Sequence, residues 1–269
     1  MRWMNAACAI RAAGLILAVG LAWPAIADPR EDAVTAYSRQ EYATTVRLLK
    51  PLADQGDAGA QNNLGSMYAD GQGVPKDDVQ AVKWYRLAAD QGYAMAQDNL
   101  GLMYTNGRGV PKDDAQAVKW YRLAADQGYA GAQNKLGVMY ANGQGVPKDD
   151  VQAVKWYRLA ADQGDAGAQV DLGSMYADGQ GVPKDDAQAV KWYRLAADQG
   201  NAQAQANLGG MYANGEGVPR DYVLAYMWSN LGAATGNEIG RKNRDFIAPR
   251  MTLADISEAQ RLSREWKPK

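Results

Sequence analysis

The amino-acid sequence predicts an all-α protein, a solenoid of stacked helix–turn–helix units with a 36-residue period, on three observations. Leu64-Gly65 returns as Leu100-Gly101, Leu136-Gly137, Leu172-Gly173 and Leu208-Gly209, and Met67-Tyr68 follows in step through Met211-Tyr212. The stretch from Val74 to Gly92 recurs from Val110, Val146 and Val182 with one position changing, Val79 to Ala115, Val151 and Ala187. The composition carries the same copying, with 29 Gly, 8 Trp and 15 Tyr against one Phe and no His in 269 residues. A fixed period of roughly 20 to 50 residues marks units that cannot bury their apolar faces alone and therefore stack.

Taken in order, residues 1–27 read as an export signal. Arg2 and Arg11 make a positive start, Ala12 to Trp23 is an apolar run, and Ala25-Ile26-Ala27 is a small-x-small cleavage site before Asp28. A spanning helix needs about 20 apolar residues, so cleavage after Ala27 is expected rather than a lasting membrane anchor. The chain left behind has no cysteine and must hold itself together by packing. Residues 28–56 form a divergent helix pair that caps the N-terminal end, with Ala33-Tyr37 and Tyr42-Leu48-Leu49 as its apolar positions. Five repeats follow at 57–92, 93–128, 129–164, 165–200 and 201–236, and residues 237–269 give two capping helices.

Within the first repeat the spacing predicts helix A over Ala58 to Asp70, closed by Gly71 in the left-handed conformation. Gly73-Val74-Pro75 then forbids helical continuation, because Pro75 lacks an N–H and pushes Val74 extended. Asp77 caps helix B, with Gln80 three residues on, and Gly92 ends it. Ala81, Trp84, Tyr85 and Ala88 share one face at i, i+3, i+4 and i+7. A buried Trp removes about 150 to 250 Å², worth about 4 to 6 kcal/mol as an upper bound, so Trp84, Trp120, Trp156, Trp192 and Trp228 form a structural spine. At the far end Thr252 and Asp255 open a helix whose stripe of Ile256, Ala259, Leu262 and Trp266 covers the last repeat.

Charge narrows the function. Loss of Arg2 and Arg11 with the signal leaves 27 basic against 30 acidic residues, a balance without the basic footprint of a nucleic-acid or anionic-membrane binder. The absence of His, and of Cys after cleavage, excludes imidazole and thiolate metal ligation and every Ser-His or Cys-His nucleophile. Gly71-x-Gly73 follows a helix rather than a strand and is no phosphate loop, and Asp77-Asp78 lacks the alternating spacing of a calcium loop. No cofactor and no metal are expected.

The pattern A-x-A-Q-x-x-L-G-x-M-Y, then G-x-G-V-P-x-D, then A-x-x-W-Y-x-x-A-A-x-x-G, carried by Ala58 to Gly92 and its copies, closely resembles the SEL-1-like repeat family, relatives of the tetratricopeptide repeats. The resemblance covers about residues 57–236. It implies a right-handed α-solenoid and a non-enzymatic adaptor for protein complexes, here in a bacterial envelope. Some cysteine-rich relatives are described as binding or hydrolysing penicillins, and this chain lacks their paired cysteines.

A binding surface can be sought by comparing the repeats with one another. Helix A varies at positions 59, 62, 63 and 66 and their equivalents, one helical face, whereas Gln80, Lys83, Arg86 and Asp90 of helix B recur unchanged through the fourth repeat. In tetratricopeptide-like stacks helix A lines the concave side, so the expected partner site is a stripe of Asn62, Asn63, Asp98, Asn99, Leu102, Asn134, Lys135, Val138, Asp171 and Asn207. Asn63, Asn99, Lys135, Asp171 and Asn207 hold one equivalent position as a polar ladder suited to the N–H and C=O groups of an extended peptide. Met95, Leu102, Val138 and Val170 supply apolar contacts. With Asp98 and Asp171 against Lys135, the expected partner is a protein or peptide segment that is not strongly acidic, met in the periplasm or outside the cell. The alternatives are an envelope hydrolase of the penicillin or peptidoglycan type, and a glycan-binding module using Tyr93 and Tyr129.

Overall fold

The computed structural model describes residues 28–269, so the proposed export signal lies outside the described residues. Every described element is helical. The N-terminal pair is α1 (Pro29–Ser38) and α2 (Tyr42–Asp54). The A and B helices of the five repeats alternate as α3 (Ala58–Asp70), α4 (Asp78–Asp90), α5 (Ala94–Asn106), α6 (Asp114–Asp126), α7 (Ala130–Asn142), α8 (Asp150–Asp162), α9 (Ala166–Asp178), α10 (Asp186–Asp198), α11 (Ala202–Asn214) and α12 (Tyr222–Ala234). α13 (Glu238–Ile247), a 3₁₀ turn and α14 (Leu253–Glu265) close the chain.

The caps form as the residues dictate. Asp77 Oδ1 accepts from the backbone N–H groups of Val79 and Gln80 at 3.0 Å, and Gly71 ends α3 at φ 72°. Thr252 and Asp255 make a reciprocal capping box on α14. Each A helix packs against its own B helix and against the B helix before it, so the core is a chain of linked clusters. Trp120 of α6 buries among Ala81 and Tyr85 of the preceding repeat and Leu100 of its own. At the C-terminal end Trp266 meets Trp228 edge-on at 6.2 Å, and Ile256, Leu262 and Trp266 cover the last cluster.

Glycines do more here than end helices. A Cβ on Gly101 would lie 2.7 Å from the Tyr121 ring, so the B-helix tyrosine packs directly against the A-helix backbone. Gly109, at φ 68°, sets its Cα so close to the preceding repeat that a Cβ would fall 2.1 Å from the Asp78 carbonyl oxygen. The Gly-x-Gly loop is therefore an inter-repeat contact as well as a helix stop, a role the sequence reading did not assign.

The unchanging helix B residues also find structural reasons. Arg86 donates to the Tyr104 hydroxyl of the next repeat, and Arg122, Arg158 and Arg194 repeat the contact on Tyr140, Tyr176 and Tyr212. Gln61 donates to the Ala53 carbonyl at 3.0 Å and accepts from Gln91 Nε2 at 2.7 Å, tying each A helix to the end of the previous B helix. Among the described residues no helix is long and apolar enough to cross a membrane, and no group of His, Cys, Asp or Glu could hold a metal ion.

Candidate functional site on the A-helix face

The variable stripe divides into two kinds of position. Asn62 and Asp98 are buried, 1% and 6% exposed, and do not open onto a free surface as expected. They are the receiving half of contacts between repeats. Asn99 Nδ2 donates to Asn62 Oδ1 at 3.0 Å, and Lys135 Nζ donates to both Asp98 oxygens at 2.9 and 3.0 Å. Asn243 continues the series beyond the repeats, donating to the Ala206 carbonyl at 3.0 Å. Asn99, Lys135 and, beyond the repeats, Asn243 thus reach back to the position one residue earlier in the preceding unit, 37 residues away. Two pairs across these columns are matched, Asn99 with Asn62 and Lys135 with Asp98, whereas Asn207 and Asn243 stand opposite Val170 and Ala206. Those two pairs account for the variation at Asn62, Asp98, Asn99 and Lys135 without a ligand.

Electrostatics follows the pairing. Burial pushes the Asp98 carboxyl up from its ordinary range, and the charge and hydrogen bond of Lys135 oppose that. Asp171 has no such cation. Burial and the neighbouring Asp165 carboxylate raise it to about 6, while the Asn134 amide works the other way. Asn134 itself donates to Asp165 Oδ1 at 3.1 Å. Val138 and Val170 are half-buried against the core, and Asn207 accepts from Gln203 Nε2 at 2.8 Å. Asn63, Met95 and Leu102 are exposed.

A cavity of about 430 Å³ opens at the N-terminal end of this face. Its walls are Val34 and Tyr37 of α1, Leu49 and Leu52 of α2, Met67 of α3 and Met95 of α5, and its polar margin includes Asn62, Asn63, Ser66 and Gln72. The stripe therefore contributes Asn62, Asn63 and Met95 to one concavity, while the central ladder residues form a polar floor further along. The α1 and α2 walls were missed in the sequence because they lie outside the period. Their signal is Val34 and Tyr37, two apolar residues at i, i+3 that stay 68% and 49% exposed on a capping helix. Of the two tyrosines considered for glycans, Tyr93 is exposed and Tyr129 half-buried, each preceding an A helix.

The Sel1 repeat family model matches residues 58–93, 94–129, 130–165, 166–201 and 202–237, five consecutive units. A crystallised Sel1 repeat protein from Oxalobacter formigenes is 36% identical over 90% of this chain and 98% of its own, with a TM-score of 0.78. An immunity protein from Pseudomonas aeruginosa, 20% identical over 79% of this chain and 84% of its own at a TM-score of 0.51, shares the fold. A search of curated proteins finds no match. Sel1 repeat proteins are generally protein-interaction scaffolds. Five matched units, the paired A and B helices and the Gly-x-Gly-Val-Pro loops all carry one conclusion: the chain belongs to the Sel1 repeat family.

Proposed function

We propose that this protein is a non-enzymatic scaffold of the bacterial envelope or exterior that holds an extended segment of a partner protein along its A-helix face. The observation that carries the reading is the cavity between α1, α3 and Met95. It is apolar enough to take one hydrophobic side chain of the partner, and it opens beside Asn63 and Ser66, whose side chains can meet backbone N–H and C=O groups. Export rests on residues 1–27 and is tested by N-terminal sequencing of the periplasmic protein, which should begin at Asp28.

The binding test places a charge in the cavity without touching the core. Val34→Asp and Met95→Asp alter positions that are 68% and 41% exposed, so the helical melt should stay unchanged while cross-linked partners disappear. Retention of every partner would remove the cavity from the reading.

A further inference from the structure

We propose that the middle of the A-helix face, at Asp171 of α9 and Tyr157 of α8, receives a basic side chain of the bound segment, a lysine ammonium or an arginine guanidinium. The inference deepens the scaffold reading and rests on it.

The chain itself shows what these acids take. In the first repeat Asp57 is paired with the guanidinium of Arg30, and in the second Asp98 is paired with Lys135 at 2.9 Å. Asp165 is the equivalent of Asp57, three periods on, and Asp171 belongs to the same column as Lys135. Among the described residues neither Asp165 nor Asp171 has a lysine or arginine within ion-pair distance. Asp165 Oδ1 is occupied by the Ala168 N–H at 2.7 Å and by Asn134. Two carboxylates thus sit side by side on the half-buried floor of the face with only an amide between them.

The second observation is independent of charge. Tyr85, Tyr121 and Tyr193 each engage a hydroxyl of their own repeat, Ser66 at 3.1 Å, Thr105 at 3.1 Å and Ser174 at 3.0 Å. In the third repeat Val138 stands where Ser66 and Ser174 stand, and Ala141 where Thr105 stands. Tyr157, only 4% exposed, is left without a hydrogen-bond partner for its hydroxyl among the described residues, and Asp171 is the first charge that acts on it. A phenol oxygen without a protein partner, at the accessible end of a buried ring and beside a carboxylate that lacks a cation, presents two acceptors to one N–H-rich cation. Lysine and arginine satisfy both, whereas an acidic side chain could accept from the phenol O–H but would set like charge against Asp171, and a purely apolar one satisfies neither.

Random dodecapeptides displayed on phage and panned on the full chain test this. Selected peptides are expected to carry Lys or Arg at one fixed position. Asp171→Asn should weaken a selected peptide about tenfold, the scale of a hydrogen bond to a charged group. Replacing the peptide lysine by norleucine should cost the same, and the two changes together should cost little more than either. Asp171→Asn is compatible with the fold, because Asn63, Asn99 and Asn207 hold that column elsewhere. Tyr157→Phe should give a smaller loss. Peptides that bind and compete for the Val34–Met95 cavity but show no basic position, or additive effects in the cycle, would overturn the basic site and leave the scaffold reading standing. Failure to select any peptide would overturn both.

Discussion

Asp171→Asn should make the protein more stable at neutral pH, and the gain should vanish in acid. The carboxyl is half-buried, faces Asp165 and lacks a cation, and it is raised from 3.8 to about 6. A folded-state value above the unfolded one means that the folded chain holds its proton more tightly. The associated stability is fully present below about pH 4 and is lost as pH rises through 6. Above pH 7 ionised Asp171 therefore costs the fold up to about 3 kcal/mol, two units at about 1.4 kcal/mol each, and residual solvent access reduces this to about 1–3 kcal/mol. Asparagine keeps the shape and can meet Asn134 as Asn99 meets Asn62. Urea unfolding followed by tryptophan fluorescence should show the variant gaining about 1–3 kcal/mol at pH 8 and less than about 0.5 at pH 4. Equal effects at both pH values, or a loss at pH 8, would refute the account of an unpaired buried charge.

Three further outcomes follow from the same geometry. Lys135→Asn leaves the Asp98 carboxylate, 8% exposed, without its cation and should cost about 1–3 kcal/mol, whereas adding Asp98→Asn recreates the Asn62–Asn99 pair and should restore most of the loss in a thermal melt. Gly101→Ala drives a methyl into the Tyr121 ring 2.7 Å away and should cost about 1–3 kcal/mol by the same assay. Trp192→Ala empties a site that is 5% exposed in the cluster shared by the third and fourth repeats and should cost about 3–5 kcal/mol, read as a lower urea midpoint.

The helices were legible at close to residue level because their signals are local. Ala58 to Asp70, the Asp77 cap and the Gly71 stop depend on neighbours a turn away, and the structure has them in those places. The face of Ala81, Trp84, Tyr85 and Ala88 was equally legible, since a burial pattern at helical spacing is written along one segment. The candidate site was read less well. Asn62 and Asp98 look like exposed variable positions and are buried, while Arg86 looks like an idle surface charge and is a fastener between repeats.

The sequence by itself determined the period, the helices, the caps and the family, because each is carried by residues near one another in the chain. The tertiary structure decided which variable residues face one another. Comparing repeats aligns residue i with i+36, but the contacts run between i and i+37, Asn62 to Asn99 and Asp98 to Lys135. An alignment by period places the two halves of each pair in different columns, so matched partners read as independent variation. Only stacking brings those columns together, and only then does Asp171 emerge as the acid that meets an amide where Asp98 meets a cation.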